Sequence, residues 1–362
     1  MSQIERQLSN IKSVFLSDFV QTQRFLDGTD ASCDVFLTLD WYELLSQHGL
    51  VGGGQPCLLG LSWGDTADAR CVLPLLVRPG TLSSLSNFYS SLYGPAGAQG
   101  APAEAWRVLA GTLRQQPSSD VLQLQPLDED AAWLAQLRMA LRQHGYWMDR
   151  FECFGNWYLP VRHACFADYM ATVPSPLRNS IARGRRRLAR VDGMRLSIHQ
   201  DADEHLDAAI ADFQAIYRHS WKQAEPCPQF MPGLIRLAAR RGWLRLGVLH
   251  IEGRAVAAQV WLVQQGKANI YKLAYVQGYE RFSPGSVLTA ALMEHVMDVD
   301  RVQEVDYLTG DDAYKRDWMS HRRVRVGLVA FRWSRPRGLL AAARHFGGRA
   351  VRRLQARLTL GR

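Results

Sequence analysis

Between Asn269 and Lys315 the chain spells a strand, a turn, a helix and a second strand, an order that few folds can use. Asn269–Val276 alternates as a strand does, Gln277–Ser283 is polar, and Val287–Val299 carries apolar residues at helical spacing. Pro284-Gly285-Ser286 opens that helix, Glu304–Leu308 is a short strand, and Thr309-Gly310-Asp311-Asp312-Ala313-Tyr314-Lys315 comes after it. The first amides of a helix have no partner inside the helix, and its dipole adds partial positive charge there. A helix mouth directly after a strand is therefore either an anion seat or an ordinary Pro/Gly helix start. Gly285 lacks a Cβ, so a phosphate can come close to the backbone. A second strand beside the first can then carry groups that do chemistry.

The remaining sequence fits a two-part globular chain. The first part reads as a helix (Ile4–Leu26), a strand (Asp34–Leu39) and a helix (Trp41–Gln47), then strands Pro56–Trp63 and Arg70–Val77 and an extended run Leu82–Tyr93. A helix (Ala103–Arg114), a strand (Val121–Gln125), a helix (Asp130–His144) and strands Tyr146–Phe154 and Trp157–Val161 complete it. After Pro174 and Pro176 come a basic helix (Leu177–Val191), a strand (Met194–His199), a helix running to Trp221 and a helix Leu234–Arg241. Strands Trp243–Ile251, Ala255–Gln264 and Ala268–Val276 come next, with Glu252-Gly253 and Gln265-Gly266 as hairpin turns; Arg323–Trp333 is the last strand. The two halves share one pattern without obvious residue identity, a weak internal repeat.

The wording Arg281-Phe282-Ser283-Pro284-Gly285-Ser286-Val287-Leu288, then Asp306-Tyr307-Leu308 and the 309–315 segment, resembles the GNAT acyltransferase superfamily. Within it the stretch from about Leu177 to Arg332 is most similar to the CelD/BcsL-like acetyltransferase domain, a relative of the FemAB peptidyltransferases. The superfamily's pyrophosphate loop usually reads Gln/Arg-x-x-Gly-x-Gly/Ala. Here Arg281 and Gly285 stand one residue further apart and a single Gly is present, the Ser-Pro-Gly form typical of the CelD-like branch. The resemblance implies an α/β (α+β) fold of two tandem GNAT-like domains, each a mixed, mostly antiparallel sheet flanked by helices. Residues 1–165 would form the acceptor side, 166–333 the cofactor side, and 334–362 a basic tail. It implies acetyl-CoA or a longer acyl-CoA as co-substrate, and a small-molecule or glycan-precursor amine as acceptor.

On that reading Tyr275, Val276, Arg281, Ser283, Gly285, Ser286, Val287 and Leu288 hold the cofactor, with the backbone of Tyr275 and Val276 facing the thioester carbonyl. Tyr314 stands where the superfamily often has a Tyr that protonates the departing thiolate; the alternative is a packing aromatic. Asp306, Asp311 and Asp312 are the candidate bases, and a capping role competes for one of the adjacent pair. Arg183, Arg186, His219, Trp221, Lys272 and Lys315 are the candidate acceptor contacts, each against the plainer reading of a solvated or packing side chain. No Cys–His or Ser–His arrangement is readable, which favours direct attack by the amine. The six Cys show no metal-ligand spacing, so no metal is expected. Gly60-Leu61-Ser62-Trp63-Gly64 fits the nucleophile-elbow wording, but Asp65-Thr66-Ala67-Asp68 reads as a turn into the strand Arg70–Val77, where an elbow needs a helix.

Charge is uneven. The formal net charge is +9, yet residues 332–362 alone hold nine Arg with no Lys, Asp or Glu. A second basic patch lies on the Leu177–Val191 helix, where Arg183, Arg186, Arg187 and Arg190 share one stripe. It is the sole support for an alternative FemAB-like transferase using aminoacyl-tRNA; otherwise nucleic acid is not expected. In the tail Leu339, Ala343, Phe346, Ala350, Leu354 and Leu358 form an apolar stripe among arginines, which suits an anionic membrane surface, docking on the chain itself, or disorder. A non-catalytic protein of envelope or polysaccharide assembly is the third reading. Met1–Val20 is charged where a secretory leader is apolar, and no apolar run has spanning length, so the expected place is the cytoplasm, with the tail on the inner membrane face.

Overall fold

The computed structural model describes residues 11–29, 34–64 and 69–360, with side chains described to Arg349. In chain order the elements are β1 (Lys12–Leu16), α1 (Phe19–Leu26), α2 (Leu39–His48), β2 (Gln55–Trp63), β3 (Ala69–Arg78), β4 (Thr81–Ser84), β5 (Ala96–Gly97), α3 (Ala103–Gln115), β6 (Val121–Asp128), α4 (Ala132–Gln143) and β7 (Tyr146–Pro160). The second half adds α5 (Phe166–Thr172), α6 (Ser175–Leu188), β8 (Arg195–His199), α7 (Leu206–Arg218), α8 (Phe230–Arg240), β9 (Leu244–Ile251), β10 (Arg254–Gln264), β11 (Lys267–Tyr275), α9 (Pro284–Asp298), β12 (Glu304–Thr309), α10 (Lys315–Trp318), β13 (His321–Arg332) and α11 (Pro336–Leu360).

All strands of the described residues join one sheet, ordered β1-β2-β3-β4-β6-β13-β7-β12-β11-β10-β9-β8, with β5 beside β3. Pairing is antiparallel except at β4–β6 and β11–β12. The order is symmetric about its centre: β1-β2-β3-β4-β6 mirrors β8-β9-β10-β11-β12, and α3 and α9 hold matching places between the parallel strands. The internal repeat is thus real in topology. The last strand of each half crosses over. β13 pairs with β6 and, along twelve residues, with β7, while β7 also pairs with β12.

Several local expectations are corrected. The described part of Ile4–Leu26 is a strand and then a short helix, with Asp18 accepting from the Gln21 amide at the helix start. Asp34–Leu39 is a 3-10 turn, fixed by the Asp34 carboxylate accepting from the Phe36 amide. Tyr146–Pro160 is one long strand where two were expected. Ser62 lies within β2, one residue from its end and paired on both sides, which does not fit a nucleophile elbow there. Both hairpin turns have positive φ at their two central residues, the geometry that matches strand twist.

One core fills the first half and reaches under β9 and β10, around Trp41, Trp106 and Phe230. The other lies between α5, α6, α9 and the second-half strands, around Trp261, Leu288, Met293 and Tyr307.

Candidate active site

Strands β11 and β12 begin as neighbours and then part. Their parallel register holds for three pairs only, ending at Asn269↔Asp306. Beyond it β12 kinks. Leu308 has φ +55, and the register with β7 slips between Asp306 and Thr309. A buried leucine in the left-handed region is strained, and such strain persists only where neighbours enforce it. Here Asp306 Oδ1 accepts from the Leu308 amide at 2.7 Å, and Asn156 Nδ2 donates to the Leu308 carbonyl at 3.1 Å.

The parted strands open a cleft with two lobes. One, about 440 Å³, is lined by Trp221, Gln259, Tyr275, Glu280, Ser283, Gly285, Ser286 and Thr289, among others. The other, about 210 Å³, is lined by Phe88, Tyr89, Ser91, Tyr271, Lys272, Thr309 and Lys315, among others. Lys222, Leu273, Tyr307, Asp312 and Tyr314 line both and mark where the lobes meet.

The first lobe ends on the mouth of α9. Ser283, at φ +48, turns the chain into the helix without a side-chain cap. Pro284 has no N–H, and the Val287 amide already donates to the Ser283 carbonyl at 3.0 Å. The amides of Gly285 and Ser286 therefore remain as the seat, with no partner among the described residues. Tyr275 lies 3.6 Å from where a Gly285 Cβ would stand, so a side chain there would intrude on the lobe wall. Gln259 Nε2 ties the turn to the sheet, donating to the Gly285 carbonyl and to Thr289 Oγ1.

Behind the seat packs the basic helix. α6 buries Ile181, Gly184 and Leu188. A Cβ on Gly184 would stand 2.6 Å from the Phe282 carbonyl, so glycine is what lets the helix approach. Arg187 donates to the Arg281 carbonyl, Ser180 and Ser283 hydroxyls lie 3.1 Å apart, and Arg185 pairs with Glu294.

This geometry redistributes the expected site. Val287 and Leu288 point into the core and contribute no free amide. The Val276 amide is spent on the Val256 carbonyl. By the alternation of antiparallel pairs, with Ala257 opposite Tyr275, the Tyr275 amide instead faces the gap. Arg281 is exposed and lies over the Phe282 ring, outside the lobe lining. Arg183 and Arg186 sit on the solvent side of α6, away from the second lobe. His219 ends α7 with its ring held by the Ala215 carbonyl. Trp221 lies in the first lobe, against Tyr275. Lys272 does face the second lobe, but its ammonium is bound to Glu225 at 2.6 Å. Lys315 is buried, and its ammonium donates to the carbonyls of Tyr307, Thr309 and Gly310, so it braces the turn.

Of the three carboxylates, Asp312 alone lines the cleft. Asp311 is drawn outward to Arg322 and the Trp157 indole. Asp306 has no exposed surface and is locked to Lys267, Arg323 and Asn156. Burial pushes its pKa up, but Lys267 and Arg323 reverse this and hold it well below the carboxylate range. A permanently charged, enclosed acid cannot take a proton from a substrate, so the expected base role is withdrawn.

Tyr314 stands at the junction, edge-on to Tyr307 at 5.6 Å. Burial, then the nearby Asp312 charge, pushes its phenol up to about 12. It keeps its proton at neutral pH and can offer a hydrogen bond to an anion. Sequence reasoning missed Lys222. Its pKa is lowered, first by burial and then by the Lys272 charge, and it borders both lobes. Its only sequence signal is adjacency to Trp221. Among the described residues no group of His, Cys, Asp or Glu could hold a metal.

Residues 175–316 match a family model described as Acetyltransferase (GNAT) domain. The sheet as a whole resembles the crystal structure of FemX, with 10% identity, TM-score 0.58, and 88% of this chain and 96% of that one covered. It also resembles the C-terminal domain of a putative lysylphosphatidylglycerol synthetase from Agrobacterium fabrum, with 11% identity, TM-score 0.54 and coverages of 90% and 96%. No curated protein matches the sequence. Residues 175–316 thus match a GNAT acetyltransferase domain, and the sheet as a whole shares its fold with these two structures.

Proposed function

We propose that the protein is an acyl-CoA-dependent N-acyltransferase. The donor takes the lobe at the α9 mouth, and an acceptor amine enters through the lobe lined by Phe88, Tyr89 and Lys272. The observation that carries this reading is the junction. Two unpartnered helix amides end one lobe, a gap between parted strands joins it to the other, and Asp312 and Tyr314 stand where they meet.

The lining of the donor lobe holds Glu280, Asp312 and Asp317 against Lys222 alone. An uncharged arm suits its inner part, while a diphosphate belongs at the rim, near the Gly285 and Ser286 amides and the arginines of α6. The amine attacks the thioester carbon, so a C–N bond forms as the C–S bond breaks. The Tyr275 amide is placed to meet the oxyanion. Asp312, directly or through water, takes the amine proton. Tyr314 donates to the departing sulfur. The exposed Phe88 ring favours the face of a sugar or a glycan precursor as acceptor.

Calorimetric titration with CoA, acetyl-CoA and longer acyl-CoAs tests the reading, together with thiol release over a panel of amino sugars and peptide amines. Binding that Gly285→Trp abolishes supports it. Absence of CoA binding alongside salt-sensitive tRNA binding would move the donor to aminoacyl-tRNA.

A further inference from the structure

Helix α11 docks by the face its sequence would send outward. Gly338, Ala342, His345 and Arg349, spaced as one helical face, turn to the sheet. Gly338 lies against the Arg332 carbonyl where a Cβ would collide, Ala342 is buried, and His345 and Arg349 both bind Asp149. The described part of the apolar stripe is left facing solvent, with Leu339 47% and Phe346 39% exposed, and Leu340 beside it is 53% exposed; Ala350, Leu354 and Leu358 lie outside the described side chains.

The exposed patch continues onto the sheet. Trp147 is 50% exposed and pairs in register with Phe331, whose ring packs on His345 and Phe346. Trp147 shares strand parity with Asp149, so both face α11. Trp333, also half exposed, follows directly on the end of β13. Arg335, Arg337 and Arg344 are exposed around these side chains. Asp149, the acid beneath, is already paired twice.

We propose that this face docks on an anionic lipid bilayer, with Leu339, Leu340, Phe346 and Trp147 entering the headgroup–acyl boundary and the exposed Arg335, Arg337 and Arg344 meeting lipid phosphates. Half-exposed Leu, Phe and Trp amid arginine form the composition an interfacial helix uses. A second copy is a poor occupant, because pairing would bring two sets of nine arginines together with no acid among them. No described helix is long and apolar enough to cross a membrane, so the contact is peripheral.

Co-sedimentation of the full chain with vesicles of phosphatidylcholine, alone or mixed with phosphatidylglycerol, tests this. Binding is expected to the mixed vesicles, to fall with added salt, and to drop by about tenfold or more in the Leu339→Glu/Leu340→Glu variant. Thermal midpoint and monomeric state should be unchanged, since both leucines are exposed. The proposal is overturned by no binding to mixed vesicles or by equal binding of the variant. It is also overturned by a concentration-dependent dimer that the variant disperses, or by RNA binding that anionic vesicles do not compete.

Discussion

Replacing Asp306 by Asn removes one charge and almost no volume, yet it should rank among the costlier single changes in this protein. Oδ1 accepts from Asn156 Nδ2 and the Leu308 amide, while Oδ2 faces Lys267 at 3.1 Å and the Arg323 guanidinium. Every neighbour is a donor. An Asn side chain must turn its NH2 toward one donor pair or the other, so no orientation restores the network. Removing one member of a buried ionic cluster costs about 3–5 kcal/mol. The low end applies, because Lys267 keeps Asp34 at 2.8 Å and Arg323 keeps Glu304 at 2.7 Å. At about 2 °C per kcal/mol for a chain of this size, the melting midpoint should fall by roughly 6 °C. The sign with pH is fixed. The folded-state pKa of Asp306 is depressed, so its stabilisation is complete above the unfolded value of about 4 and is lost progressively as pH falls from there toward the depressed folded value. Melting curves of wild type and Asp306→Asn from neutral pH to below 4 should therefore converge at the acid end. A midpoint within about 1 °C of wild type at neutral pH, or a gap that widens in acid, would refute this account of Asp306.

Gly184→Ala should weaken CoA binding by roughly tenfold, because its Cβ pushes α6 off the Phe282–Val287 turn; the overpacking of about 1–3 kcal/mol outweighs the helix-propensity gain of about 1 kcal/mol, and calorimetry with a melting curve checks both. Tyr314→Phe should slow thiol release by about 100-fold while leaving CoA affinity unchanged; an affinity loss instead would make it a packing residue. Lys222→Gln should slow turnover and shift the alkaline limb of the pH–rate profile, since the wild-type ammonium loses its proton at lower pH than a free lysine; an unshifted limb excludes a role for its charge. Residues 1–162 and 163–362, expressed apart, should be insoluble and should assemble when co-expressed, because β7 and β13 each lose their neighbours; two monodisperse fragments would count against this.

Local chemistry was legible in the sequence where one residue type forces one geometry. Pro284-Gly285 after a strand gave the helix mouth, and the same Pro284 removes a donor, which narrows the seat to two amides. Strand parity contained the correction to Asp306: it and Tyr307 cannot both face the cleft, and Tyr307 does. Asp311 and Asp312 could not be separated, because adjacent residues in an irregular turn diverge by backbone angles that no periodicity encodes. Lys315 read as an acceptor contact or a solvated charge because sequence does not reveal that three carbonyls converge on it. The apolar stripe of α11 left a membrane surface, docking on the chain and disorder all open; tight backbone approach at Gly338 and the Asp149 ion pairs decide the helix's rotation.

What the sequence hid is the crossing of strands. Gly155-Asn156 looked like a break between two short strands, yet β7 runs through it, pairing with β13 along its length and with β12 at its far end. This continuity fixes the first half against the second. Ser91 meets Thr309 at 3.0 Å, the Tyr271 hydroxyl donates to the Tyr89 carbonyl, and Tyr89 reaches Glu225. These contacts join residues more than 130 positions apart in the chain. The segment that matches the GNAT family supplies the donor lobe, Asp312 and Tyr314, but not Phe88, Tyr89 or Ser91. On the proposed function, acceptor choice would therefore be set by the half that the family match does not cover.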